Sequence, residues 1–264
     1  HRLGGGDNTS DLVGYGLAGA DLDGDGCDEM LAGAYNDDQP GKTDAGALHV
    51  WRGWGGPGCP TAPSTAAFYG PTAGDNIGFR LATVGDLDGD GVAELAIGSA
   101  GYGTNNNGVA LVLRGGVLGA ALRGMGDGAA VTLPPAAILT VLTTPQRLAG
   151  TQFAYGLQVQ DVNGDGLGDI LVGERFSSLG GVLRRGAAHV YLGAADAAAL
   201  SSPDLLILGP AAFADSDFGT SMAFARQGRA GWAVMVGAPL GEWTGPDFGE
   251  MGVVYQGLIS ELAP

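Results

Sequence analysis

Apolar residues come in short runs along this chain, each closed by glycine, proline or aspartate. Glu29–Ala34, Gly46–Trp51, Glu94–Ser99, Gly108–Leu113, Asp169–Glu174, Gly186–Tyr191 and Trp232–Ala238 are the clearest. Runs of this length, rich in Val, Leu and aromatic residues between turn formers, predict β-strands. No stretch of eleven or more residues carries a 3.6-residue apolar period with capping residues, so long helices are not expected. The alanine-rich piece 193–200 is expected to make at most one or two helical turns.

The runs recur in a fixed order. A glycine–aromatic pair opens each unit: Tyr15-Gly16, Gly78-Phe79, Tyr155-Gly156 and Phe218-Gly219. An acidic turn follows in three units, beginning at Asp21, Asp86 and Asp161. Next come an apolar strand ending in glycine, a variable loop, a strand opened by glycine, and a last strand leading onward. The last strands are expected at residues 67–70, 146–150 and 205–209. A fourth unit keeps the strand Trp232–Pro239 but has Ala225, Gln227 and Arg229 where the others carry acids.

Four short strands per unit at this spacing predict an all-β fold, a small β-propeller of four blades with four strands each. The repeats fall near 6–70, 71–150, 151–209 and 210–264 plus 1–5, as one domain. Arg2-Leu3-Gly4-Gly5 matches Arg147-Leu148-Ala149-Gly150. The N-terminal strand is therefore expected to complete the last blade and close the ring. A slice of a larger propeller, or half of a dimeric one, is the alternative. The apolar insert 125–144 either lengthens a blade hairpin, covers one face or forms a contact surface.

Each acidic turn offers oxygen at relative positions 1, 3, 5, 7 and 9. The candidate ligands are Asp21, Asp23, Asp25, the Cys27 carbonyl and Glu29; Asp86, Asp88, Asp90, the Val92 carbonyl and Glu94; and Asp161, Asn163, Asp165, the Leu167 carbonyl and Asp169. All are hard oxygen donors, which favours Ca²⁺ over Zn²⁺ or Cu²⁺. Mg²⁺ fits less well because it keeps several of its waters. Position 12 holds Ala32, Ile97 or Val172 rather than the glutamate of an EF-hand loop. Solvated Asp-Gly turns would not repeat the acid at position 9. Three calcium sites with a structural role are expected.

The Asp-x-Asp-x-Asp-Gly-x-x-Asp/Glu turns, the Phe/Tyr-Gly pairs before them and the Val-Gly-Ala-Pro element after them resemble FG-GAP repeats. Such repeats build the propeller head of integrin α subunits and occur in bacterial secreted proteins. The resemblance implies an extracellular or cell-surface location. It also implies ligand contacts on the face opposite the calcium turns. Integrin heads have seven blades, whereas four repeats are visible here.

Composition narrows the function. The chain has 264 residues, 51 of them glycine, and a formal net charge of −16 from 12 basic and 28 acidic residues. Three Ca²⁺ would reduce that to −10. No basic footprint exists for nucleic acid or an anionic membrane surface. No run of 18 apolar residues suggests a membrane-spanning helix. The start without Met suggests a mature product or an excised domain. Cys27 and Cys59 either pair or are both free.

Gly14-x-Gly16-x-x-Gly19 lacks the strand–loop–helix context of a dinucleotide site. His49 and His189 hold one repeat position, which favours common ancestry over paired catalysis. Asp215 and Asp217 are the nearest approach to a glycosidase pair. The loops 35–38, 102–107, 175–179 and 243–248 carry aromatic and polar residues suited to a protein or glycan partner. The expected function is a non-enzymatic, calcium-binding adhesion or binding module. A structural or oligomerisation domain of a larger surface protein and a polysaccharide-active enzyme are the competing readings.

Overall fold

The computed structural model describes residues 11–52, 59, 64–102, 105–144, 149–211, 215–226 and 232–240, together with the backbone of one last strand. Their strands form four consecutive sheets. The first contains β1 (Leu17–Ala20), β2 (Glu29–Ala34), β3 (Ala47–Arg52) and β4 (Ser64–Tyr69). The second contains β5 (Arg80–Gly85), β6 (Glu94–Ser99) and β7 (Val109–Leu113). Helix α1 (Gly115–Gly124) and β8 (Ala129–Thr132) precede its fourth strand, β9 (Ile138–Leu142). The third contains β10 (Phe153–Gln160), β11 (Asp169–Glu174), β12 (Ala187–Tyr191) and β13 (Leu205–Leu208). The fourth contains β14 (Ser221–Arg226), β15 (Trp232–Ala238) and β16 (Val253–Leu258).

Within each sheet, sequential strands pair antiparallel. The sheets stack face to face because their central strands are apolar on both sides. In β6, Leu95 and Ile97 join a core with Leu31, Leu48 and Phe68 of the first sheet. Ala96 faces the other way, with Phe153, Ile170 and Val172 of the third sheet. In β11, Leu171 packs toward Val234 and Val236 of the fourth. The result is an all-β, propeller-type arrangement of blades.

Among the described residues no strand pairs the first sheet with the fourth, so ring closure is not seen there. The expected closing strand, residues 2–5, lies outside the described residues. So do 227–231, where the fourth acidic turn is degraded.

The second repeat departs from expectation. Its fourth strand is β9, not residues 146–150; of those, 149 and 150 lie in a turn and 146–148 are outside the described residues. The insert does more than lengthen a hairpin. Its β8 leaves its own blade and pairs parallel with β4, becoming the fifth strand of the first sheet. Asp127 anchors the crossing by accepting from the Thr65 amide at 2.7 Å and hydroxyl at 3.1 Å. Those bonds hold its carboxyl below the ordinary range. The expected helical turns at 193–200 reduce to a short 3₁₀ turn at Ala199–Ser201.

The glycine ending the second strand has a packing reason. A Cβ on Gly33 would overlap the carbonyl of Gly78, and one on Gly173 the carbonyl of Gly219. The first and third blades thus press backbone against the glycine–aromatic pair of the next.

Candidate metal centres

Each acidic turn links the first and second strands of a blade. In turn 1, Asp21 accepts the amides of Gly24 at 2.8 Å and Gly26 at 2.9 Å. Asp23 accepts from Asp25 at 3.2 Å, and Asp25 from Cys27 at 2.8 Å. Turn 2 repeats this: Asp86 accepts from Gly89 and Gly91, Asp88 from Asp90, and Asp90 from Val92. In turn 3, Asp161, Asn163 and Asp165 take the same roles. The chain can coil this tightly because positions 4 and 6 are glycines with φ of 75° and 85° in turn 1, in the left-handed region.

The position 9 acid starts the second strand and is fully buried in all three turns. One oxygen accepts the amide of the buried or half-buried apolar residue at position 2. Glu29 accepts from Leu22 at 2.8 Å, Glu94 from Leu87, and Asp169 from Val162 at 2.7 Å.

The turns then diverge. Oε1 of Glu29 and Oε1 of Glu94 are buried and have no hydrogen-bond partner. An unsatisfied buried carboxylate oxygen is costly. In turn 3 the shorter Asp169 has its second oxygen taken by the Gly193 amide at 2.8 Å. Turn 2 brings Asp86, Asp88, Asp90 and Glu94 together, and turn 1 brings Asp21, Asp23 and Glu29 together, with one oxygen from each within 4.8 Å of the others. Asp25 does not join the turn 1 group. Among the described residues Asp161, Asp165 and Asp169 form no such group, and the Asn163 amide instead donates to Asp165 at 2.9 Å. The residues of turns 1 and 2 therefore fit a hard cation: a ring of carboxylates and an orphaned buried oxygen facing the same need.

Burial pushes Glu29 up to about 7, with Asp23 and Asp25 adding to the rise. Glu94 also rises to about 7 through burial, with Asp88 adding. Burial raises Asp169 too. In the unfolded chain the ordinary value for Glu is 4.5. Without metal, the folded state therefore holds these protons more tightly than the unfolded state. The stability they contribute is full below 4.5 and is lost as pH rises through about 7. In a chelator the melting temperature should be higher at about pH 5.5 than at about pH 7.5, and saturating calcium should shrink or reverse that order. Circular dichroism melts in both conditions check this; a chelated protein that gains stability toward neutral pH contradicts it.

Cys27 and Cys59 form a disulfide across 32 residues, resolving the open cysteine question. By chain entropy, closing such a loop is worth about 3–4 kcal/mol. It also fastens turn 1, since Cys27 is position 7 of that turn.

The opposite ends of the same first strands carry a second cluster, of which the sequence pattern revealed the rings and not their partners. Tyr15 and Phe79 lie 4.9 Å apart, as do Phe79 and Tyr155, with Tyr35 5.1 Å from both Tyr15 and Phe79. A register shift between Phe153 and Gly156 places Tyr155 at a bulge. The Arg80 guanidinium lies 4.6 Å from the Phe79 ring centre, and Arg175 lies 4.7 Å from that of Tyr155. The glycine–aromatic pairs signalled the rings; nothing in the spacing signalled the arginines.

Other candidates are absorbed structurally. Asp217 is buried and paired with Arg175, whose Nε lies 2.9 Å away, while Asp215 pairs with Arg184 at 3.2 Å. His49 meets Asp37 at 2.6 Å and His189 meets Glu174 at 2.9 Å, each buried in its own blade. Gly16 and Gly19 belong to the β1–β2 pair, so no nucleotide loop forms there.

Comparison with known proteins finds similarity over part of the chain. A family profile of the FG-GAP repeat matches residues 13–51 and 78–113, the segments that contain turns 1 and 2. Over 119 residues the chain is 34% identical to integrin alpha-PS2 of Drosophila melanogaster. That stretch covers 43% of this chain and 8% of the integrin subunit. No helix among the described residues is long and apolar enough to cross a membrane, a statement that does not extend to strands.

Proposed function

We propose that this chain is a calcium-stabilised, non-enzymatic binding module of the integrin α kind, displayed outside the cell. The observation that carries it is the buried, unpartnered oxygen of Glu29 and of Glu94 beside aspartates in two FG-GAP repeats. Calcium would be held by Asp21, Asp23, Asp25 and Glu29 with the Cys27 carbonyl, and by Asp86, Asp88, Asp90 and Glu94 with the Val92 carbonyl. A third, weaker site uses Asp161, Asn163, Asp165, Asp169 and the Leu167 carbonyl. The disulfide supports an oxidising compartment. The four sheets support a single four-bladed domain.

The ions hold the strand turns at one end of the blades. The aromatic–arginine end and its neighbouring loops are left to meet a protein or glycan. The similarity to an adhesion-type subunit supports binding without turnover. Isothermal calorimetry with Ca²⁺ tests the metal reading: two tighter sites and one weaker site are expected, and no binding heat would overturn it. Glycan and protein arrays probed in calcium and in chelator test the second part. Calcium-dependent retention without product release is expected, and cleavage of a polysaccharide would favour the enzyme reading instead.

A further inference from the structure

Helix α1 lies across both FG-GAP turns. At its N-terminal end, Gly116 approaches turn 2 so closely that a Cβ there would overlap Oδ2 of Asp90. The residue before the helix, Arg114, sets its Nε 3.4 Å from Oδ2 of Asp88. Arg114 also donates to the carbonyls of Ala136 and Ile138, both at 3.0 Å, which fixes its guanidinium in the insert. Toward the other end, a Cβ on Gly119 would overlap the Leu22 carbonyl of turn 1. Arg123 donates to the Asp23 carbonyl at 2.7 Å. Arg52 of β3 donates to the carbonyls of Leu122 at 2.6 Å and Met125 at 3.0 Å, fixing the last helical turn to the first blade. Leu118 and Leu122 are fully buried in the core that also holds Leu22.

One ten-residue helix and the residue before it thus touch Asp23, Asp88 and Asp90, three of the candidate ligand residues, from two different blades. Its seat consists of turn 1 backbone at one end and turn 2 carboxylates at the other. Each turn must gather mutually repelling carboxylates, so each is costly to order without a cation. The helix has its complete seat only when both turns are closed. An ion that orders one turn fixes the helix, and a second ion then finds part of its own ordering cost already met.

We propose that α1 joins turns 1 and 2 into one cooperative cation-binding unit, in which filling either turn raises the affinity of the other. The proposal rests on the calcium reading of these two turns. Its test uses the full chain carrying Asp161→Asn and Asp165→Asn, which leaves two sites to titrate with Ca²⁺ by calorimetry. Adding Asp86→Asn leaves turn 1 alone. Turn 1 alone should bind at least about fivefold more weakly than in the intact pair. Arg123→Ala, at an exposed residue, should reduce that difference while leaving the fold in place. Hydrogen exchange of the amides of 115–124 should slow when calcium is added to the pair and slow less with Asp86→Asn. Equal turn 1 affinities with and without Asp86→Asn, or exchange in 115–124 indifferent to calcium, would overturn the coupling and leave α1 a passive strut. A chain that binds no calcium at all would overturn the metal reading as well, and the unaltered protein shows which has failed.

Discussion

Removing calcium should lower the melting temperature of this protein by about 15–25 °C near neutral pH. The size follows from linkage. An ion present at one hundred times its dissociation constant, bound only by the folded state, adds about 2.7 kcal/mol. Two or three such sites add about 5–8 kcal/mol, and a domain of this size gains roughly 3 °C per kcal/mol. The whole stability of a typical domain is only about 5–15 kcal/mol. The turns have reason to be this sensitive. Glu29 and Glu94 are buried with one oxygen each unpartnered. Calorimetric scans in calcium and in chelator measure the shift. A change of only a degree or two would mean that these acids do not hold an ion that matters to the fold.

The second large effect should come from a single methyl group. Gly33→Ala or Gly173→Ala should destabilise the protein by about 3 kcal/mol or more, at the upper end of the usual range for overpacking. A Cβ at either position would strike the backbone carbonyl of Gly78 or Gly219 in the next blade. A backbone carbonyl cannot rotate away as a side chain can. The blades must move apart, and the cores between them open. Gly124→Ala is the control, because nothing lies within 4 Å of a Cβ there. Urea denaturation of the three variants separates the cases. Equal midpoints for Gly33→Ala and Gly124→Ala would show that the blades yield more easily than their contact implies.

The repeating parts were legible because they obey local rules. Alternate carboxylates and glycines specify a turn through their own hydrogen bonds, whatever surrounds them. The strands at 29–34 and 94–99 followed from short apolar runs. What local rules do not encode was missed. Helix α1 reads Gly-Gly-Val-Leu-Gly-Ala-Ala-Leu-Arg-Gly, with four glycines and no side-chain cap, so propensity argues against it. It forms because Leu118 and Leu122 have a core to enter. The parallel pairing of β8 with β4 joins residues about sixty positions apart and has no periodic signal. Residues 146–150 stand where the repeat order expects the fourth strand of the second blade, and their likeness to residues 2–5 gave those the same role; β9 occupies that place instead. For the candidate sites, spacing gave the acids alike in all three turns. It did not show that the Gly193 amide takes the second oxygen of Asp169.

The crossing of β8 also constrains how this chain can be made and rearranged. The first sheet needs residues 129–132, which lie beyond three strands of the second. A nascent chain cannot complete its first blade until most of the second has left the ribosome, so the two must mature as one unit. For the same reason a recombination joint between them, the obvious place to exchange repeats, would strip a strand from one product and orphan it in the other.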